Sequence, residues 1–379
     1  MTAPSNPFPV SAYHGPDLFC DRADEVKRLY ANAMNGVDTT LLSIRRMGKT
    51  GLVQHLFHKL AKKQKVYCLY MDIYSTQNQK EFINLFSTAV LQAFPPKKSI
   101  GKKVLGFLQG LRLTISYDEL TGRPDASLNY SQPKQYEQSL ASQLAFIEKL
   151  GVTVIVAIDE FQQISHYPEK NTEAMLRTLV QPLKNIRFIF SGSSKHVLLQ
   201  MFTSSKRPFF GSTQLLELKN IDQSTYEAFI EGSFKKYKRR IEPDALKFIS
   251  SWTRLHTYYT QAVCNRLFAE GYKNITLPLV LSTCGRLLDE QESTFFQYRN
   301  LLTAAQWQLL KAIAKEDKLY QPNSMHFLTT YKIGTASHVQ RGLEALLTKE
   351  MIYTEKDERG NYYSVYDCFL SRWLKLAID

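Results

Sequence analysis

The segment 45–50, RRMGKT, has the residue types that can hold a phosphate chain and a divalent cation. It follows an apolar segment, 39–44, and precedes apolar residues with helical spacing, so backbone N–H groups and a helix N-terminus would surround the phosphates. Gly48 would let the backbone approach the phosphates, because a side chain there would collide with them. Lys49 would reach two of the phosphates, and the Thr50 hydroxyl would hold Mg²⁺. The predicted phosphate-binding residues are Arg45, Arg46, Met47, Gly48, Lys49, Thr50 and Gly51.

A pair of acids, Asp159 and Glu160, follows the apolar run 154–158. That run suits a central parallel strand, and a carboxylate at the end of a buried strand is costly unless it has a partner or a role. Asp159 would bind the water shell of the Mg²⁺ ion, and Glu160 would orient or activate the attacking water as a general base. An ordinary connecting loop and two solvated acids are the alternatives, and Ser43 replaces the first glycine of the G-x-x-x-x-G-K-[ST] pattern. Together the two segments predict a Walker A loop and a Walker B strand, and hence an ATPase with ATP and Mg²⁺ as cofactors.

Apolar segments that alternate with helical segments must position these residues. The strand candidates are 39–44, 65–73, 152–158, 187–190 and 213–218. Several of them are apolar on both faces, which is typical of parallel strands covered by helices. Because 65–73 comes between the two motifs along the chain, we expect a strand inserted between their strands, as in additional-strand ATPases. Ser193, after 187–190, would touch the terminal phosphate or the attacking water, with a plain Ser/Gly turn as an equal alternative.

The pattern predicts three domains in 379 residues, a length that exceeds one ordinary core. Residues 1–220 read as an α/β P-loop core, with a hairpin inserted at about 95–133, where turn residues separate two short alternating strands. Residues 221–300 read as a helical lid. Residues 301–379 read as helix, turn, helix and hairpin, which is the outline of a winged helix.

Composition restricts the class of protein further. The chain is 44% hydrophobic and 22% charged, which is typical of globular proteins. No apolar run reaches the ~18 residues that span a bilayer, and residues 1–10 lack the pattern of a secretory signal, so we expect a cytoplasmic protein without membrane contact. The five dispersed cysteines read as buried thiols. A net charge of +13 favours anionic partners, of which ATP is one and nucleic acid another.

Over nearly its whole length the chain resembles the archaeal-type AAA+ ATPases, close to the signal-transduction ATPases with numerous domains. Segments similar to those of the family are 19–22 (FCDR) for its N-terminal box, 45–50 and 158–161 (IDEF) for its Walker segments, 191–193 (SGS) for its sensor strand, and 207–211 (RPFFG) for its R-P-hydrophobic-aromatic-G segment. The segment 254–259 (RLHTYY) is similar to its G-G-H-P-Y-Y lid motif, but lacks the two glycines and the proline.

The resemblance implies further site residues. Phe19 and Arg22 would lie near the adenine, and His256 would contact the nucleotide from the lid. Arg207 would be an arginine finger, supplied in cis or by a neighbouring protomer. A solvated Arg207 and a hydrogen-bonded, partly buried His256 are the alternatives. The resemblance also implies that the winged helix is a regulatory part of the ATPase.

The preferred hypothesis is a molecular switch that hydrolyses ATP slowly or on stimulation by a partner, and whose nucleotide state sets the arrangement of the lid and winged helix. A nucleotide-regulated DNA-binding protein and a non-hydrolysing interaction scaffold are the alternatives. The run 235–240 (KKYKRR) could bind nucleic acid phosphates. The recognition helix at 335–350 is neutral, however, and the wing adds more acids than bases, so nucleic acid is not favoured. We expect a protein partner for the winged helix, and self-association stays open.

Overall fold

The computed structural model describes residues 6–111, 113–119, 122, 124–130 and 132–376. The outer ends of the first and last predicted domains, residues 1–5 and 377–379, lie outside the described residues. The chain divides into two compact units, one of Ser11–Asn220 and one of Met1–Val10 with Ile221–Asp379. Within the described ranges, no helix is both long enough and apolar enough to cross a bilayer.

The first unit is an α/β domain with a parallel sheet, as the sequence predicted. Its strands are β1 Thr39–Leu42, β2 Val66–Asp72, β3 Leu113–Tyr117, β4 Pro124–Leu128, β5 Thr153–Asp159, β6 Ile186–Ser191 and β7 Gln214–Glu217. Its helices are α1 Ala23–Met34, α2 Lys49–Leu60, α3 Gln79–Ala93, α4 Ser99–Gly110, α5 Pro133–Glu148, α6 Thr172–Val180 and α7 Lys195–Thr203, with 3-10 turns at Pro16–Leu18 and Phe161–His166. The sheet strands end within two residues of the predicted apolar segments.

The order of the strands in the sheet is β2-β5-β6-β1-β7, and all neighbouring strands are parallel. An additional strand does separate β1 from β5, but it is β6 and not the predicted segment 65–73. That segment forms β2, which lies at the edge of the sheet and pairs Asp72 with Asp159 of β5. A parallel crossover can return to a position one strand away, so the order along the chain does not determine the order in the sheet. The carboxyl ends of β1, β5 and β6 meet at one edge of the sheet.

A helix and a hairpin are inserted between α3 and α5. The strands β3 and β4 are antiparallel, and β4 is fastened to α3 because the Ala126 N–H donates to Thr88 (2.8 Å) and the Leu128 N–H donates to Asn84 (3.0 Å). The sequence predicted a hairpin here, with its second strand at 126–130, two residues later than β4, and it did not predict α4. The reason for the missing helix is that α4 contains Gly101, Gly106 and Gly110, and glycine lowers helix propensity.

The second unit contains the helical lid and the winged helix. Its helices are α8 Gln223–Lys236, α9 Pro243–Trp252, α10 Thr257–Ala269, α11 Leu277–Asp289, α12 Glu292–Asn300, α13 Ala304–Glu316, α14 Met325–Tyr331, α15 Ala336–Thr348 and α16 Cys368–Leu376. Its strands are β8 Arg240–Ile241, β9 Asn274–Ile275, β10 Ile352–Asp357 and β11 Gly360–Val365. The helices α13 to α15 with the hairpin β10–β11 form the predicted winged helix. The structure adds α16 and the short parallel pair β8–β9, which the sequence pattern did not indicate.

Arg254 joins the lid helices to the winged helix inside the second unit. Its guanidinium donates to Asp317 Oδ1 (2.5 Å from Nη2), to the Val365 carbonyl (3.2 Å) and to Ser371 Oγ (2.7 Å). Burial alone would raise the pKa of Asp317, but Arg254 and two further cations of α16 lower it below its usual value. An ionised Asp317 is therefore part of the contact that holds lid and winged helix together.

Residues 6–10 pack in the second unit, whereas the sequence placed them in the core range 1–220. Phe8 is fully buried, and its ring lies 4.7 Å from that of Phe234. The Asn265 side-chain amide donates to the Phe8 carbonyl (2.7 Å). Full burial of a phenylalanine stabilises a fold by about 1.5–3 kcal/mol. The sequence did not predict this packing, because a short, proline-rich segment has no periodic pattern.

Candidate functional site

The loop between β1 and α2 has a backbone that can approach phosphates. Gly48 is the N-cap of α2 with φ of 92°, a left-handed conformation that glycine adopts without strain. Arg46 is also left-handed, with φ of 61°. Met47 is buried in the core, whereas Arg45 and Arg46 are exposed. Thr50 is the second residue of α2, so the N–H groups that lack intrahelical partners lie around it.

The ammonium group of Lys49 is buried in this loop. It donates to Ser43 Oγ (3.1 Å), to the Ile44 carbonyl (3.1 Å) and to the Ser43 carbonyl (3.4 Å). Burial lowers the pKa of Lys49 to about 8, and Asp159 and Glu160 act against this shift. A buried cation that is held by uncharged oxygens is suited to an anionic ligand, because that ligand would supply the missing charge.

Asp159 is buried at the end of β5, and its two carboxylate oxygens have different donors. Oδ2 accepts hydrogen bonds from Thr50 Oγ1 (2.7 Å) and from the Tyr70 hydroxyl (3.0 Å). Oδ1 accepts from Ser191 Oγ (2.8 Å) and from the Glu160 N–H (3.1 Å). The structure therefore brings the predicted metal ligands Thr50 and Asp159 into direct contact.

Glu160 is held on one side by the loop after β6. Its Oε2 accepts from Ser193 Oγ (2.7 Å), from the Ser193 N–H (3.1 Å) and from Gln162 Nε2 (2.5 Å). Gly192 makes room for this contact, since a Cβ at that position would overlap the Gln162 amide oxygen. Glu160 also has φ of 57°, a conformation that strains a residue with a side chain and that is common at functional sites. All three of these donors reach Oε2 of the carboxylate.

Tyr70 and Gln162 belong to this site although the sequence did not single them out. Tyr70 lies in the apolar run of β2, where aromatic residues are common for packing reasons. Its hydroxyl reaches Asp159 because β2 pairs with β5. Burial and the neighbouring Asp159 raise the pKa of the Tyr70 phenol far above its usual value, so it donates to the carboxylate as a neutral hydroxyl. Gln162 follows Glu160 in a 3-10 turn, and the spacing alone did not show that it folds back.

The oxygen ligands at this edge of the sheet fit an Mg²⁺ ion that is bound together with a nucleotide. Among the described residues, no group of three or more His, Cys, Asp or Glu side chains could hold a metal. Mg²⁺ prefers oxygen ligands and is commonly bound by one or two protein side chains, phosphates and water. The Thr50 hydroxyl and the Asp159 carboxylate supply that chemistry, and Lys49 and the turn at Gly48 fit the phosphates.

A family model described as an ATPase domain predominantly from Archaea matches residues 19–255. The chain belongs to this family. A second family model, described as a probable winged helix domain, matches residues 293–376 of the chain. Among curated proteins, none matches the chain.

Solved structures of other proteins share the fold of this chain. The Walker-type ATPase of Pyrococcus abyssi aligns with a TM-score of 0.68 at 17% identity, over 97% of this chain and 99% of that one. The ORC2 protein of Aeropyrum pernix, solved as ADPNP-ADP complexes, has a TM-score of 0.53 at 14% identity over 94% of each chain. Cdc6p from Pyrobaculum aerophilum has a TM-score of 0.50 at 14% identity over 98% of each chain. At these identities the likeness shows the fold, which is that of AAA+ P-loop NTPases.

The two residues that the resemblance places near the adenine have different surroundings in the structure. Phe19 stacks on His55 of α2, with ring centroids 4.3 Å apart, and lies against Gly51 at the start of that helix. Arg22 is buried, and its guanidinium donates to the Lys219 carbonyl (2.6 Å). Phe19 thus lies beside α2, whereas Arg22 contacts the chain just before the second unit begins. Contact of either with a nucleotide stays a prediction.

Arg207 and His256 also contact other residues of the chain. Arg207 forms an ion pair with Glu173 (2.5 Å from Nη2 to Oε2), and about a third of its side chain is exposed. It also donates to Ser165 (3.4 Å). His256 belongs to the second unit, where it is the buried N-cap of α10 and its ring lies 4.7 Å from that of Tyr259. The finger role of Arg207 and the nucleotide contact of His256 stay predictions.

Proposed function

We propose that this ATPase is a molecular switch that binds ATP with Mg²⁺ at the β1–α2 loop and hydrolyses it, and whose nucleotide state sets the arrangement of the lid and winged helix. The hydrogen bond between Thr50 Oγ1 and Asp159 Oδ2, 2.7 Å long, carries the proposal. It joins the phosphate-binding loop to the strand end that bears Glu160. A loop with an unrelated role would not need this hydrogen bond, which brings the loop and the second motif together in one site.

Each of these side chains has a role in the proposed reaction. Lys49 and the α2 N-terminus bind and orient the phosphates, and Thr50 and Asp159 hold the ion, which when bound would neutralise phosphate charge. Glu160 accepts the proton of the attacking water through Oε1, while Ser193 and Gln162 keep its other oxygen in place. In this scheme Ser193 positions the base, which is a narrower role than contact with the terminal phosphate.

A nucleotide-regulated DNA-binding protein is the second candidate, and one observation favours it. The side chains of Lys235, Lys236, Lys238 and Arg240 are all exposed, at the end of α8, in the turn that follows and in β8. Against it, α15 exposes Arg341 beside Glu344, so the helix that would enter the major groove is not basic. Binding to duplex DNA that weakens steeply with salt, and that is lost on replacing the four cations by glutamine, would favour this candidate.

The test of the ATPase switch is Mg²⁺-dependent ATP turnover of the wild type beside Glu160→Gln and Lys49→Ala. We expect Glu160→Gln to lower turnover by about 10²–10⁴-fold while ATP still binds, because the amide cannot accept the proton. Lys49→Ala should lose both binding and turnover. ATP binding without turnover in the wild type, with no partner that restores it, would point to a non-hydrolysing scaffold. A wild type that binds no ATP would refute the proposal.

A further inference from the structure

Tyr70 reaches the metal side of the site from a strand that carries neither of the two sequence motifs. It lies in β2, the edge strand beside β5, and is partly buried. Its hydroxyl donates to Asp159 Oδ2 at 3.0 Å. The same oxygen accepts the Thr50 hydroxyl at 2.7 Å, so Tyr70 acts on the carboxylate oxygen that faces the other predicted ligand.

The two carboxylate oxygens of Asp159 therefore accept hydrogen bonds from different groups. Oδ1 accepts from the buried Ser191 hydroxyl (2.8 Å) and from the Glu160 N–H (3.1 Å), donors that belong to the sheet and its end and that fix the carboxylate plane. Oδ2 accepts from hydroxyl groups, and a hydroxyl has two acceptor lone pairs besides its donor. After donating to Asp159, the oxygens of Thr50 and Tyr70 can therefore still face an ion or its water.

We propose that Tyr70 is a positioning residue for the Mg²⁺ site, which holds Asp159 Oδ2 toward Thr50 and offers its oxygen to the water shell of the ion. This inference rests on the proposed function, since it concerns the ion that accompanies ATP. Partners that orient a metal ligand from outside the coordination sphere are worth about 10–100-fold in metal affinity in other proteins. Tyr70→Phe removes the hydroxyl and keeps the ring, so the packing of β2 is retained.

The experiment is a Mg²⁺ titration of the binding of a fluorescent ATP analogue, measured without turnover. For Tyr70→Phe we expect the Mg²⁺ concentration at half-maximal binding to rise about 10-fold or more, whereas binding of the analogue in EDTA stays at the wild-type value. Tyr67→Phe is the matched control. It removes a phenol from the same strand at the opposite end, where Tyr67 stacks on Phe94 with centroids 4.3 Å apart, and it should titrate like the wild type.

Turnover gives an independent reading of the same role. A residue that positions the ion without touching the reacting atoms should show a loss at low Mg²⁺ that saturating Mg²⁺ largely reverses, within about 3-fold of the wild type. A kcat that stays depressed at saturating Mg²⁺ would instead make Tyr70 a catalytic group and overturn the proposal as stated. Melting temperatures of the two phenylalanine variants should agree with the wild type within a few degrees, since the ring is kept.

The outcomes separate this inference from the proposed function. A wild type whose analogue binding is independent of Mg²⁺ would remove the ground for both. A Mg²⁺-dependent wild type with an unchanged Tyr70→Phe titration would overturn the role of Tyr70 and leave the ATPase standing. Equal weakening of binding with and without Mg²⁺ would show that Tyr70 shapes the nucleotide site generally, and would likewise overturn the inference.

Discussion

At the scale of single residues, the lack of a side chain at Gly192 allows the Gln162 amide to lie against it. An alanine there fits the backbone, because φ is not in the left-handed region, but its Cβ would overlap the Gln162 amide oxygen. We expect Gly192→Ala to displace Gln162 from Glu160 Oε2 and to lower kcat by about 10-fold or more, since small misplacements of a general base are costly. ATP binding should be unchanged, and steady-state turnover beside equilibrium binding measures both effects.

The control for this prediction removes the obstructed side chain. In a Gln162→Ala background, Gly192→Ala has nothing to displace, so the double variant should turn over ATP at the rate of Gln162→Ala alone. Additive losses in the double variant would show that position 192 acts through the backbone of the loop and not through Gln162.

The residues whose chemistry requires a particular type at a particular place in the chain were predictable from the sequence. Lys49, Thr50 and Asp159 follow from one loop and one strand end, and the structure brings them together. Tyr70 was not predictable, because its role depends on which strand lies beside β5. The hydrogen bond from Arg22 to the Lys219 carbonyl was not predictable either, because this partner lies almost two hundred residues away and no local pattern encodes it.

At the scale of elements, the turn between α9 and α10 explains a departure from the family pattern. Arg254 and Leu255 both have left-handed backbones, with φ of 56° and 54°. These are the positions where the G-G-H-P-Y-Y motif has glycines, which adopt this conformation without strain. In this chain Arg254 adopts this strained conformation, and its side chain donates hydrogen bonds to Asp317 and to other residues of the winged helix.

The strained backbone and the side-chain hydrogen bonds of Arg254 lead to a prediction for this position. Arg254→Ala should lower the free energy of unfolding of the second unit by about 2–3 kcal/mol, since it removes charge-assisted hydrogen bonds to partly buried acceptors. Arg254→Gly should cost about 1 kcal/mol less than alanine, because glycine relieves the left-handed backbone. Urea denaturation of both variants measures the difference. Glycine that is no better than alanine would contradict the left-handed turn.

The elements themselves were predictable to different degrees. Buried parallel strands such as β5 give long apolar runs, so the sequence located them within two residues. The place between β1 and β5 was wrongly predicted for the segment 65–73 and is taken by β6, since local pattern carries no information on which strands pair. The helix α4 was missed because its glycines weaken the helical signal, and α4 is stable here through burial of Val104 and Leu108 in the core.

At the scale of the whole molecule, the chain passes between its two units at residues 10–11 and again at residues 220–221. The lid and winged helix, predicted as separate domains, lie in one compact unit, joined by the Arg254 contacts and by α16. Within the first unit, Arg22 fastens the segment after the first crossing to Lys219, just before the second crossing. The proposed change of arrangement between the units would therefore concentrate its dihedral changes in these two short segments.

Hydrogen exchange with and without a non-hydrolysable ATP analogue and Mg²⁺ should show this concentration. We expect the protection of backbone amides to change in the β1–α2 loop and near residues 8–13 and 218–223, because packed units move as bodies and their connections absorb the motion. Backbone amides at the end of β11, where Arg254 donates to the Val365 carbonyl, should exchange at equal rates in both states. Lys49→Ala, which should not bind the analogue, is the control and should show no change. A nucleotide-dependent change at the β11 end would mean that lid and winged helix move separately, and that the switch acts inside the second unit instead of at its connections.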